Sequence, residues 1–255
     1  MVIIAIKKPR YIYCVIEVEE SKRPTTFDVK PIGAGKSIYL EYYKDLAIVM
    51  SDSTINRYSV SRENTISHQK VIERVLTEYT LLPVRFGTVS ETDVVNNLLK
   101  PRYKEFKSEL KKVDDKNEMG LKIFWIDMPK VYAQIVEDNK DIKKQRNKLA
   151  KMSELTSRNE RMELGLKVEA AVEAKREQDK DKALKILQKY TKEFVEGGLY
   201  GETMVLNASF LVEKSRQVEF DEAINEVEAA LGDNYLLKYV GPIPPYDFVE
   251  ISIDI

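Results

Sequence analysis

The sequence predicts an α+β fold in two domains, built on small mixed or antiparallel sheets with helices on one face. The C-terminal domain reads as ferredoxin-like with an inserted long helical pair. Three observations lead there. Short runs rich in β-branched and aromatic residues recur along the whole chain. Segments with apolar residues at helical spacing separate them. A charged, glycine-poor stretch from about residue 130 to 195 has the composition of solvated helices.

RYIYCVIEV (10–18) is the first strand by its residue types. SIYLEYYKDLAIVMS (37–51) reads as a hairpin turning at Tyr43–Lys44–Asp45, with Ile38, Leu40 and Tyr42 alternating on one face. Residues 65–80 place His68, Ile72, Val75 and Tyr79 on one helical face. LLPVRFGTV (81–89) reads as a strand. A helix from about Thr92 to Val113 should kink or split at Pro101. The polar break Asp114–Asn117 marks the expected boundary between a first domain, 1–117, and a second, 118–240.

GLKIFWID (120–127) opens the second domain as a strand carrying the single tryptophan, Trp125. The helices expected over 130–195 break near Ser153–Asn159, with Leu149, Met152 and Leu155 stepped on one side, and end at Gly197–Gly198. In MVLNASFLV (204–212), Met204, Leu206, Ala208, Phe210 and Val212 share a face by alternation. Helix 217–231 buries Phe220, Ile224, Val227 and Leu231 and stops at Gly232. NYLLKYVG (234–241) is the last strand, and 241–255 is a proline-rich tail.

Composition limits function. The chain has 41 basic and 42 acidic residues and a net charge of −1, so no basic field draws nucleic acid. One cysteine, Cys14, and one histidine allow neither an intramolecular disulfide nor a Cys/His zinc site. The apolar run Val2–Ile6 is shorter than a signal-peptide core, and no stretch approaches the roughly 20 apolar residues of a membrane span. The expectation is a cytoplasmic protein with no membrane, nucleic-acid, cofactor or metal partner.

Candidate chemistry is sparse. PIGAGKS (31–37) ends like a phosphate loop, but Lys30 stands where a glycine is required and a strand-like run follows instead of a helix. A glycine turn feeding the hairpin is the favoured reading. His68 lies on an apolar helix face, where a packed, hydrogen-bonded histidine is favoured over a general base. Arg85, between Val84 and Phe86, must be paired or reach solvent. Asp114–Asp115 and the carboxylates Glu17, Glu19 and Glu20 read as loop and strand-end residues. No catalytic residue is assigned and no enzyme is expected.

The most informative segment is GPIPPYDFV (241–249). Pro242, Pro244 and Pro245 fix three φ angles and remove three amide donors, giving a stiff arm that carries Tyr246 and Phe248. Such an arm either clamps a core or offers aromatic rings to a partner at low entropic cost.

Taken with GETMVLNASFLV (201–212), LPVRFGTV (82–89), YIYCVI (11–16) and KDLAIVMS (44–51), this tail resembles the GvpF/GvpL family of gas vesicle proteins over nearly the whole chain. GETMVLNASFLV leans toward the F-type. One departure is Ile243, where the family tail usually carries Trp. The resemblance implies a two-domain protein with ferredoxin-like elements. It also implies a non-enzymatic accessory protein that binds the hydrophobic major shell protein and assists nucleation and assembly of the vesicle, or stays in it as a minor component. Other gas vesicle accessory proteins are further implied partners.

For such a partner the first residues to consider are Tyr246 and Phe248, then the hairpin rings Tyr39, Tyr42 and Tyr43. Two alternatives are a nucleotide-binding enzyme using the GAGKS turn through Lys36, and a scaffold bridging accessory proteins through helices 140–195.

Overall fold

A computed structural model describes residues 8–153, 157–191, 193–249 and 251. Val2–Ile6 and Leu155, used above, lie outside the described residues. The fold is mixed α+β with two antiparallel sheets, as expected from the strand and helix patterns. The chain divides into two compact units. Unit 1 joins residues 1–118 to 242–255, and unit 2 is 119–241.

In unit 1, β1 (Arg10–Glu17) pairs antiparallel with β3 (Leu46–Asp52), and β3 with β2 (Ile38–Tyr43), giving the expected hairpin. Lys44 turns it with φ 55°. Helix α1 (Arg62–Leu76) starts at Ser61, whose side chain accepts from the Asn64 amide, and buries His68, Val71, Ile72 and Val75. The segment 81–89 is not one strand. β4 (Leu81–Pro83) and β5 (Val89–Ser90) each pair with β1, and a turn with Gly87 at φ 87° separates them.

The segment before Pro101 is a π-helical turn, Val95–Leu99, and α2 (Tyr103–Val113) begins two residues beyond the proline. Loss of the proline amide and the steric demand of its ring account for the split. β1 and β3 are apolar at successive positions, so both faces of these strands are buried.

In unit 2 the sheet order is β7–β8–β6–β9, from β6 (Lys116–Trp125), β7 (Phe194–Glu196), β8 (Met204–Glu213) and β9 (Tyr235–Ile243). With helices between β6 and β7 and between β8 and β9, this is the split βαβ order of ferredoxin-like domains. The helical insertion holds three helices: α3 (Met128–Asp138), α4 (Lys140–Leu149) and α5 (Arg158–Leu187). Asp127 caps α3 by accepting from the Lys130 amide, and Pro129 sits in its first turn.

The charged run ends earlier than its composition suggests. Phe194–Glu196 is a strand, so Gly197–Gly198 follows β7 and does not stop a helix. Helix α6 (Gln217–Leu231) ends at Gly232, φ 88°, as expected. The core gathers Leu206, Ala208, Phe210 and Val212 of β8 with Phe220, Ile224 and Val227 of α6 and Leu121, Ile123 and Trp125 of β6. β9 runs on through Pro242; it is an edge strand, where a proline costs no ladder bond.

Candidate partner-binding surfaces

The hairpin tyrosines fall on alternate faces. Tyr42 joins Ile38 and Leu40 at the unit 1 core. Its hydroxyl donates to the Pro24 carbonyl at 2.5 Å, and the Arg23 guanidinium lies 4.6 Å from its ring centre. Tyr39 points the other way and donates to Asp52 Oδ1 at 3.1 Å. Tyr43 meets Tyr103 edge-on at 5.8 Å, beside the Lys44 ammonium. All three rings are half-buried.

The tail is held within unit 1. Pro244 and Pro245 are buried, as are Val249 and Ile251. Tyr246 is half-buried against the cluster that contains Cys14, Val71 and Val75. The Asp247 amide donates to Glu118 Oε2 at 3.0 Å. Burial raises the Tyr246 hydroxyl above the ordinary phenol range. Phe248 keeps part of its ring exposed.

His68 occupies an aromatic cage. Its ring stacks on Tyr13 at 5.9 Å and meets Phe86 edge-on at 5.7 Å. Nδ1 lies 3.0 Å from the Tyr11 hydroxyl, which accepts from the Gly87 amide at 2.8 Å. Nε2, on the far side of the ring, is buried with no hydrogen-bond partner. Burial pushes the imidazole down to about 4, with the Val84 backbone opposing. Tyr13, bonded to Ser51 and the Ile32 amide, is pushed up to about 12 by burial. This is the packed, hydrogen-bonded histidine the helix pattern predicts, neutral at physiological pH.

The GAGKS segment carries no helix N-terminus, because Ile38 begins β2. Gly33, φ 63°, packs under Tyr58: an added Cβ would lie 2.9 Å from its hydroxyl oxygen. Glycine is required there for conformation and for space. Arg85 is exposed and reaches solvent. Asp114 sits in a turn and accepts from Thr80 at 3.0 Å. Cys14 is buried, and burial raises its thiol far above the usual range. No group of three or more His, Cys, Asp or Glu positioned for a metal ion occurs among the described residues. Among the described residues, no helix is long and apolar enough to cross a membrane.

Two features escaped the sequence reading. One is a buried polar cluster in unit 2. Asp179 accepts from Trp125 Nε1 at 2.9 Å and from the Tyr235 hydroxyl at 2.7 Å, with Lys175 Nζ at 3.2 Å. Burial, then the Asp179 bond, raises the Tyr235 hydroxyl. Residues this far apart in sequence give no signal of pairing. The other is the helix-free face of the unit 2 sheet. Tyr235, Leu237 and Tyr239 face the helices, so Leu236, Lys238 and Val240 face away. Leu236 is 47% and Val240 55% exposed. Phe124 of β6, with the Lys238 ammonium 5.2 Å from its ring centre, and Val195 of β7 lie on the same side. Alternation along β9 was the available signal.

Comparison with known proteins supplies the family. The family model described as gas vesicle synthesis protein GvpL/GvpF matches residues 9–250. The chain belongs to this family. Among curated relatives, gas vesicle protein F of Dolichospermum flosaquae is 24% identical, over 96% of this chain and 98% of that protein. Gas vesicle protein F of Nostoc sp. is 26% identical, over 84% and 88%. The crystal structure of GvpF from Anabaena sp. PCC7120 superposes with a TM-score of 0.87 at 24% identity, covering 96% of this chain and all of that one (100%). GvpF from Microcystis aeruginosa gives 0.78 at 23%, over 95% and 99%. The F-type lean of GETMVLNASFLV agrees with these names. GvpL/GvpF proteins are gas vesicle structural or accessory proteins and not a known enzyme family.

Proposed function

We propose that this chain is a non-enzymatic accessory protein that binds the hydrophobic major shell protein of the gas vesicle and assists its nucleation and assembly. Family membership supports the accessory role. The observation that carries the finer reading is the helix-free face of the unit 2 sheet. It exposes Leu236 and Val240 on the edge strand β9, the kind of apolar side chains that mark an interaction site, and Val195 on the opposite edge strand, β7. A shell subunit with large apolar surfaces self-associates in water unless part of that surface is covered reversibly. Exposed aliphatic side chains flanked by Lys122 and Lys238 on the same face suit that task.

The half-buried rings Tyr39, Tyr42, Tyr43, Tyr246 and Phe248 form a second contact set in this proposal. The protein works in the cytoplasm, associated with the vesicle, and other accessory proteins are additional partners.

Co-purification with tagged shell subunit tests the reading. The wild type is expected to be retained and the double variant Leu236→Asp/Val240→Asp to be lost, with an unchanged circular dichroism spectrum. Equal retention of both moves the contact elsewhere, and the Phe248→Ala and Tyr39→Ala variants then decide whether the rings carry it. No retention of the wild type ends the shell-binding reading.

A further inference from the structure

The helical layer of unit 2 has two edges of opposite charge. α5 packs against α3, α4 and α6. α4 holds five cations, Lys140, Lys143, Lys144, Arg146 and Lys148, and one acid, Asp141. α6 holds five acids and no cation.

The charges of α5 are largely spent within the chain. Glu163 pairs with Lys167, Arg176 with Glu173, Lys175 with Asp179, and Lys180 with Glu177. The two edges differ. Lys140, Lys144, Lys148 and Lys151 are all exposed, and none has an ion-pair partner among the described residues. The spacing of four residues places Lys140, Lys144 and Lys148 on one stripe of α4, and Lys151 follows in the turn after it. That stripe lies opposite Ile142 and Leu149, the buried residues of α4.

On α6, Glu222 and Glu226 are exposed and likewise unpaired, opposite the buried Phe220, Ala223 and Val227. Glu219, bonded to Arg216, extends the same stripe toward the helix start. At 1.5 Å per residue, the lysine stripe runs about 12 Å along α4 from Lys140 to Lys148, and the acidic stripe about 10 Å along α6 from Glu219 to Glu226.

We infer that these edges are a self-complementary surface on which a second copy of this chain docks, the lysine stripe of one molecule against the α6 stripe of the next. The chain carries both halves, matched in length, sign and exposure. Its overall net charge of −1 supplies no field for a polyanion. The two patches are different surfaces of one protomer, so a pair of copies can satisfy both about a two-fold axis, and a head-to-tail array satisfies them in turn. Exposed ion pairs are individually weak, and salt screens them. The association is therefore concentration-dependent and lost at high salt, as suits an assembly that forms and dissolves.

Sedimentation velocity on the full chain tests this. Wild type at low ionic strength is expected to shift to faster species as concentration rises and to return to monomer at about 0.5 M salt. Lys144→Glu/Lys148→Glu, with two acidic edges, should stay monomeric, and so should Glu222→Lys/Glu226→Lys, with two basic edges. An equimolar mixture of the two variants should associate again, because each edge of one then opposes an edge of the other. Neutral Lys144→Gln/Lys148→Gln guards against misfolding of the charge-reversed chain and should also lose association. Monomeric wild type at all concentrations overturns the inference, and so does a mixture that stays monomeric beside an associating wild type. Wild type that binds heparin through the stripe without self-associating assigns the lysines to a polyanion and overturns it too.

Discussion

Lowering the pH should destabilise unit 1 through His68. His68 is buried in its aromatic cage and held down to about 4, against 6.5 in a free chain, so the unfolded state takes up a proton that the folded state refuses. Stability from this group is complete above about pH 6.5 and is lost as pH falls toward about 4, at roughly 1.4 kcal/mol per pH unit. Over the whole window the loss is about 3 kcal/mol, a large share of a domain's stability. Carboxylates contribute at the lower end in any protein, so the measurement is a difference. His68→Gln removes the titration and keeps a polar side chain within reach of the Tyr11 hydroxyl. Urea unfolding of both proteins between pH 7.5 and 4, followed by hydrogen exchange of α1 peptides, reports this unit alone. The wild-type midpoint should fall steeply below pH 6.5, and that of His68→Gln should fall much less. Parallel pH profiles for the two proteins would refute the assignment.

Asp179→Ala should cost unit 2 about 3 kcal/mol, because it strands the buried Trp125 and Tyr235 donors and the Lys175 charge; urea unfolding read by Trp125 fluorescence measures it. Tyr246→Ala should destabilise unit 1 by about 2 kcal/mol, the cost of removing a ring that is only partly buried, seen as a lower thermal midpoint. Gly33→Ala should cost about 1–2 kcal/mol from its positive φ and the Tyr58 hydroxyl beside it, while Gly165→Ala, in open space on α5 with no positive φ, should cost nothing in the same melt.

Elements with a strong period were legible in the sequence. The alternation of 204–212, the apolar stripe of 217–231 with its glycine stop, and the Tyr–Lys–Asp turn of the hairpin all correspond to structure. Their local preference and tertiary role coincide. Phe194–Glu196 was not legible, because three residues are too few to show a period and the charged helix before them dominates the window. The 81–89 run read as one strand because its apolar content hides the Gly87 turn. The surfaces divide in the same way. His68 was visible as a residue on an apolar face, whereas the Asp179 cluster joins three distant elements and leaves no local trace. The helix-free face was written in the alternation of β9, but a strand pattern does not say which of its two faces the helices will cover.

The division of unit 1 between residues 1–118 and 242–255 has a consequence for the order in which the protein is made. During synthesis the N-terminal strands emerge first, yet Tyr246, Val249 and Ile251 reach the ribosome's exit only after all of unit 2 has been translated. Unit 2 is contiguous and can close while the chain is still growing. Unit 1 waits, its hydrophobic seat for the tail open to solvent, for the whole length of a domain. Its final closure thus becomes a late quality check, passed only by chains translated through to the proline segment.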